Sequence, residues 1–370
     1  DLHRLIRRQR QMCIRDRLRI ELSGDTMQSV SKSIYRGKLL SSLPAVGEIH
    51  KEIAVSEETV TWISLQREII ANILLGKDPR LLVIVGPCSI HDVQAAVEYA
   101  KRLSVLQNKY LSQMYIVMRT YFEKPRTRKG WKGIMHDPDL NGSYNVEKGI
   151  RYARQCLSSI TTMRVATATE FLDPFLTPYI ADLICWGAVG ARTTESQTHR
   201  QLASGLHCPV GFKNSTDGNI NLAIDAILAA REQHVVYMTS LTKCISTLLT
   251  DGNPHGHLIL RGGREPNYGL SDITKAVKLM HDEGINHRLI IDCSHGNSGK
   301  VAERQISVAR EVIDNRKKMP GYVAGIMLES FLQGGKQSDS LPREYGQSVT
   351  DECLSWQQTE QLLSTLAAQL

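Results

Sequence analysis

Eight short runs rich in β-branched and apolar residues recur along this chain, separated by stretches whose apolar positions fall at helical spacing. They are LLVIVG (81–86), YIVMRT (115–120), RVATAT (164–169), DLICWGAVGA (182–191), PVGFK (209–213), HLILR (257–261), RLIID (288–292) and GIMLES (325–330). Strand–helix alternation implies parallel pairing with crossover helices, and eight is the number that closes a (β/α)8 barrel. The reading is therefore an α/β TIM barrel over 78–370. A doubly wound open sheet has the same alternation, and periodicity does not distinguish closure. One stretch between the fifth and sixth runs, near 235–253 (VVYMTSLTKCISTLLTDGN), lacks helical spacing and reads as an inserted β-hairpin. Upstream, SEETVTWISLQREIIANILL (56–75) opens with a capping serine and acidic first-turn residues, the start of one amphipathic helix.

At 370 residues the chain exceeds a lone barrel, which leaves room for an N-terminal extension over 27–77 suited to regulation or oligomerisation. The formal charge of +7 would be compatible with nucleic acid, an anionic surface or anionic small molecules. Its location decides, because residues 1–20 hold seven arginines against two aspartates. The rest is close to neutral. The composition breaks at Met27, and residues 1–26 read as a basic, non-native segment. An intact mass of the protein expressed from its own genomic context, showing a start before Met27, would refute this. Eight cysteines at 13, 88, 156, 185, 208, 244, 293 and 353 form no CxxC pair, as expected of reduced thiols in a cytoplasmic protein. No apolar run reaches the roughly 18–20 residues of a membrane span.

In a barrel the chemistry lies where strands end. The residues there are Cys88, Arg119, Glu170, Arg192, Lys213, Arg261, His295 and Glu329, one for each run in order. A lone charge at any one place is ordinary; eight polar or reactive groups at equivalent places form a mouth. Arg119, Arg192, Lys213 and Arg261, joined by Lys124 and Arg126 in YFEKPRT, would repel one another without an anion. Arginine forks and lysine point charges suit phosphate and carboxylate, so phosphorylated small molecules fit. A nucleic-acid groove would need basic stripes with aromatic platforms, and aromatic content is only 6%. Cys88, His295, Glu329 and Asp351 offer thiolate, imidazole and two carboxylates, a set matched to Mn²⁺, Fe²⁺, Co²⁺ or Zn²⁺ rather than Mg²⁺ or Ca²⁺. An inert buried Cys88 and an Asp351 that caps the last helix are the plainer alternatives. His91 could act in catalysis or orient a neighbour, Asp292 could steady His295, and Glu170 could hold an arginine or a water.

Several blocks together resemble the type I, microbial aromatic-pathway class of 3-deoxy-D-arabino-heptulosonate 7-phosphate (DAHP) synthases. They are VIVGPCSIHD (83–92), MRTYFEKPRTRKGWKG (118–133), DPDLNGSY (137–144), TATEFLD (167–173), WGAVGARTTESQ (186–197), CPVGFKNSTDGN (208–219), LRGGREPNY (260–268), DCSHGNSGK (292–300) and YGQSVTD (345–351). The resemblance implies condensation of phosphoenolpyruvate with D-erythrose 4-phosphate to DAHP and phosphate, the first step of the shikimate pathway in aromatic amino-acid biosynthesis. Metal ligands would be Cys88, His295, Glu329 and Asp351. Phosphoenolpyruvate would contact Arg119, Lys124, Glu170, Ala191, Arg192, Lys213, Arg261 and His295, and erythrose 4-phosphate the loop Lys124, Pro125, Arg126 and Thr127, with Asp351 near its hydroxyls. Lys124, His295, Cys88 and Asp351 would be the catalytic groups, with the metal positioning the aldehyde and no Schiff base.

The chain departs from the family at Ser215, where glycine is more usual, at 171–180 (FLDPFLTPYI) and in the 235–253 insert. Those last two stretches and the N-terminal extension are where family members build an aromatic amino-acid feedback site. Homodimers or homotetramers are the family's usual assemblies. The nearest alternative is a related enzyme joining phosphoenolpyruvate to another aldose phosphate; the KPRT block and the extension argue against it. A basic nucleic-acid-binding protein is the distant one.

Overall fold

The computed structural model describes residues 36–242, 244–340 and 342–370. The reading of 1–26 as non-native lies outside the described residues. Two compact units divide at Leu43/Pro44; in the first, residues 36–43 carry no regular structure and are largely exposed. The second contains all the elements that follow.

The barrel strands are β1 (Leu81–Gly86), β2 (Met114–Arg119), β3 (Ala166–Glu170), β4 (Trp186–Val189), β5 (Val210–Lys213), β8 (Gly256–Leu260), β9 (Leu289–Asp292) and β10 (Val323–Glu329). They pair in parallel in the order β1-β10-β9-β8-β5-β4-β3-β2 and close, because β1 bonds β2 on one edge and β10 on the other. Every residue in these strands is buried, the pattern expected when helices cover the outside of a filled barrel. The outer helices are α3 (Val93–Lys109), α4 (Val146–Thr162), α5 (Gln197–Ser204), α6 (Asn221–Arg231), α7 (Leu270–Asp282) and α8 (Arg304–Lys318), with α9 (Trp356–Ala367) last. The (β/α)8 barrel is thus present and the open-sheet alternative is not. The skip from β5 to β8 is the expected insertion: β6 (Val235–Thr239) and β7 (Ile245–Leu249) form a separate antiparallel pair.

Ahead of the barrel come α1 (Val46–Glu52) and α2 (Glu57–Leu74). Ser56 caps α2 by accepting from the Thr59 N–H, as the sequence signature predicts. The fourth run is shorter than its apolar stretch suggested. Between β3 and β4, Pro174 and Pro178 prevent a regular helix, and two 3-10 turns, Thr177–Tyr179 and Ala181–Leu183, stand in its place. Neighbouring helices satisfy the backbone there. Arg67 of α2 donates to the carbonyls of Ala181, Asp182 and Ile184, and buried Arg154 of α4 forks onto Asp182 at 2.8 and 2.9 Å while donating to Tyr179 O and Ile53 O.

Large and small residues alternate inside the barrel. Trp186 on β4 donates its indole N–H to His257 Nε2 on β8 at 3.1 Å, and burial pushes His257 down to about 3, so the imidazole is neutral and its Nδ1 donates to His255 O. Gly211, on β5 between them, leaves the space: a Cβ there would lie 2.5 Å from Ile259 Cδ1 and 2.8 Å from Trp186 Cζ2. All seven described cysteines are free, and no described helix is long and apolar enough to cross a membrane.

Gly211→Ala should destabilise the fold by about 1–3 kcal/mol through overpacking, read as a lower Tm. Adding Ile259→Ala should recover part of that loss. Purely additive effects of the two changes would show that these side chains do not compete for the same space.

Candidate active site

Every barrel strand ends on, or within three residues of, a chemically active side chain. Arg119, Glu170, Lys213, Asp292 and Glu329 are the final residues of β2, β3, β5, β9 and β10. Arg261 follows β8 directly, Cys88 lies two residues past β1, and Arg192 and His295 lie three past β4 and β9. Parallel pairing sends all these ends to one face. Between β1 and β10 the register sets Gly86 opposite Glu329, which carries Glu329 to the neighbourhood of Cys88.

That face opens into a cleft of about 830 Å³. Lys124, Pro125, Arg126, Thr127, Glu170, Ala191, Arg192, Lys213, Arg261, His295 and Asp351 line it, as expected. Lys129, Thr216, Arg264 and Lys300 line it too, and strand-end counting does not reach them. All four stand in the quoted sequence blocks, but between three and ten residues beyond a strand. Eight cations therefore surround the cleft against the two carboxylates Glu170 and Asp351, a balance that suits an occupant carrying several negative charges. Glu170 Oε1 is buried without a hydrogen-bond partner among the described residues, an acceptor directed at a polar ligand. Gly190 makes room for that carboxylate, since a Cβ there would lie 2.2 Å from Oε1.

Beneath the cleft two buried ion pairs flank His295. Lys213 Nζ lies 2.8 Å from Asp292 Oδ2, which lies 2.9 Å from His295 Nδ1. His295 Nε2 faces Glu329 Oε1 at 3.9 Å, and Glu329 Oε1 accepts from Arg119 Nη2 at 3.1 Å. Ser294 donates to the other Glu329 oxygen at 2.8 Å. Burial alone would raise the Asp292 carboxyl, but His295 and the Lys213 ammonium hold it well below the usual carboxylate range. Burial likewise opposes ionisation of Glu329, and His295, Arg119 and Lys124 outweigh it to pull that carboxyl down. His295 has φ of +55°, in the left-handed region that non-glycine residues enter only when their surroundings hold them there. The Lys300 N–H, bonded to His295 O at 2.8 Å, is one such hold.

Lys124 Nζ donates to Cys88 Sγ and to Asp351 Oδ2, both at 2.8 Å. Burial works against its charge, yet Cys88, Glu329 and Asp351 together raise the ammonium above its ordinary value. Burial pushes the Cys88 thiol up to about 11. One ligand atom from each of Cys88, Glu329 and Asp351 falls within 4.8 Å of the others. A soft sulfur with two carboxylates, already attracting an ammonium, fits a divalent transition ion. The fourth expected ligand, His295, stands beside Glu329 with its Nδ1 edge toward Asp292. It lies outside that tight trio.

Three of the residues named from the sequence stand apart from the simplest reading of their positions. Arg119 is fully buried below the cleft, with its guanidinium 3.9 Å from the Tyr121 ring centre, and is not among the residues of the cleft wall. His91 stands edge-on to Phe331, pushed down to about 4 by burial, and is absent from the cleft wall. Asp351 is not a helix cap, because Ser355 and Gln358 cap α9.

A second, mostly apolar cavity of about 1030 Å³ lies away from the cleft. Val46 of α1, Val60 and Arg67 of α2, the 174–182 turns, α5 and the β6–β7 hairpin line it.

Comparison with known proteins agrees with this geometry. Residues 52–364 match the model of the DAHP synthetase I family. The chain is 50% identical over 331 residues to the Trp-sensitive phospho-2-dehydro-3-deoxyheptonate aldolase of Escherichia coli K12, covering 89% of this chain and 95% of that one. It is equally similar, 50% over 330 residues with the same coverage, to the enzyme of that name from Enterobacter agglomerans. Among solved structures, phospho-2-dehydro-3-deoxyheptonate aldolase from Francisella tularensis SCHU S4 superposes with a TM-score of 0.88 at 43% identity, over 90% of this chain and 98% of that one. A barrel whose strand ends gather cations around a thiol–carboxylate trio, matched along nearly its whole length, belongs to the DAHP synthetase I family.

Proposed function

We propose that the cleft joins phosphoenolpyruvate to D-erythrose 4-phosphate through the residues named above. The chain is a 3-deoxy-7-phosphoheptulonate synthase, the enzyme of the first step of the shikimate pathway. The observation that carries the assignment of roles is the ring of eight cations beside the Cys88–Glu329–Asp351 trio.

Phosphoenolpyruvate brings a phosphate and a carboxylate to Arg192, Lys213 and Arg261, with Ala191 and Glu170 alongside and Arg119 adding charge from below. Lys124, Pro125, Arg126 and Thr127 take the aldose phosphate. C3 of phosphoenolpyruvate forms the new bond to the aldehyde carbon, and the aldehyde oxygen gains a proton. Lys124, kept cationic by Glu329, Asp351 and the Cys88 sulfur beside it, is placed to hydrogen-bond that oxygen as charge builds on it. Water then adds at C2, and phosphate leaves by cleavage of the C2–O bond into the field of the cations. Cys88, Glu329 and Asp351, with His295 as a fourth ligand, would hold Mn²⁺, Fe²⁺, Co²⁺ or Zn²⁺, supplying a Lewis acid to that aldehyde.

The 1030 Å³ cavity suits an aromatic amino acid. Phe175, Pro178, Leu202 and Leu248 supply apolar walls, and Arg67, Asp182 and Gln201 offer partners for a carboxylate and an ammonium. Because the relatives are named Trp-sensitive, tryptophan is the effector we propose, with Val46, Val60 and Arg67 of α1 and α2 contributing part of its site. The exposed Tyr237, Ile245 and Leu249 of the hairpin suit a homodimer or homotetramer contact, which light scattering on the Tyr237→Glu/Leu249→Glu protein would test by loss of the assembly.

Purified protein should consume phosphoenolpyruvate only with erythrose 4-phosphate and a divalent ion, and EDTA should stop it; no loss of phosphoenolpyruvate with any aldose phosphate would refute the assignment. Cys88→Ala should bind no stoichiometric metal and lose metal-dependent turnover, and retained activity would remove Cys88 from the ligand set. Arg192→Ala should raise KM for phosphoenolpyruvate about 10–100-fold, the cost of one charge-assisted contact. Leu202→Trp, which fills the apolar cavity, should abolish inhibition by tryptophan while turnover without effector continues.

A further inference from the structure

Lys124 is held between Cys88 and Asp351, but its neighbour Glu123 has no place in the reaction described so far. Its side chain leaves the backbone the other way, into protein, and is only 4% exposed. Both carboxylate oxygens are used, each by a different loop. Oε1 meets His136 Nε2 at 3.0 Å, in the segment that leads to α4. Oε2 accepts the backbone N–H of Asp173 at 3.3 Å, in the segment that follows β3. The main chain adds a return limb to the same junction, with Lys124 N–H donating to Lys132 O at 2.9 Å and Met135 N–H to Phe122 O at 3.4 Å.

We propose that Glu123 is a positioning residue for the reaction, aiming Lys124 and the loop behind it by pinning the exit of β2 to the loops on either side, with His136 as its partner. A buried carboxylate is an expensive way to join loops, and burial pushes this one above its ordinary value even with His136 beside it. An apolar side chain would fill the space without that cost, but it would not fix direction. A carboxylate held by two donors on opposite sides cannot rotate, and residues 123 and 124 share a peptide unit. The reach of Lys124 to two acceptors at 2.8 Å therefore depends on where Glu123 is anchored. The inference rests on erythrose 4-phosphate meeting the 124–127 loop. Phosphoenolpyruvate has other cations, whereas the aldose phosphate depends on this loop.

The test uses steady-state kinetics of the metal-loaded full chain, with phosphoenolpyruvate Kd measured in the absence of the second substrate. Glu123→Gln keeps an acceptor for the Asp173 amide but loses its charge toward His136. It should raise KM for erythrose 4-phosphate about tenfold or more, with phosphoenolpyruvate Kd changed less than about threefold and Tm little moved. His136→Asn, which retains a donor, should stay within about threefold of the unsubstituted enzyme, and His136→Leu should match Glu123→Gln. A folded Glu123→Gln enzyme with unchanged KM for erythrose 4-phosphate overturns the proposal, as does equal weakening of both substrates together with a fallen Tm. Arg126→Ala separates the two readings. If it leaves KM for erythrose 4-phosphate unchanged, the loop's substrate assignment fails; if it raises that KM and Glu123→Gln does not, only the positioning role fails.

Discussion

Closure of the barrel is the constraint on which the site depends. β10 must return to β1 for the sheet to have no edge, and in doing so it sets Glu329 level with Gly86. The trio at the mouth is therefore assembled from the loop after the first barrel strand, the last strand and the loop before α9. No local segment holds it. The same closure brings β9 beside β10, so that Asp292, His295 and Glu329 meet as neighbours across two strands.

Once the ends converge, electrostatics decides what can occupy them. Lys213 with Asp292 and Arg119 with Glu329 are buried pairs of opposite sign flanking His295, so removal of one member of either pair would leave its partner as an uncompensated buried charge. The cleft above has no such balance. Its cations outnumber its carboxylates four to one, which makes the buried pairs a scaffold and the cleft a receptor. Lys124 joins the two, buried beside the trio yet lining the cleft.

Much of this was legible before any coordinates. Short apolar, β-branched runs between stretches of helical spacing located the strands to within a few residues, the Ser56 cap fell where predicted, and the 235–253 insert is the β6–β7 hairpin. The fourth run misled because apolar character extends through 182–185, where prolines upstream leave only 3-10 turns; hydrophobicity reports burial, not backbone conformation. Strand-end counting found Arg192 and Lys213 but not Arg264 and Lys300, since loop residues reach the cleft by a path that no period encodes.

Composition and order alone determined that this chain would repeat eight strand–helix units, that its strand ends would be cationic, and that a thiol, an imidazole and carboxylates would stand among them. Those follow from local patterning and residue chemistry. Only the tertiary structure decided that Arg119 lies under the cleft paired to Glu329, that Cys88, Glu329 and Asp351 converge while His295 stands to one side with Asp292, and that Glu123 anchors the loop of Lys124. Side-chain direction and charge pairing depend on neighbours distant in the chain, and those exist only when the barrel has closed.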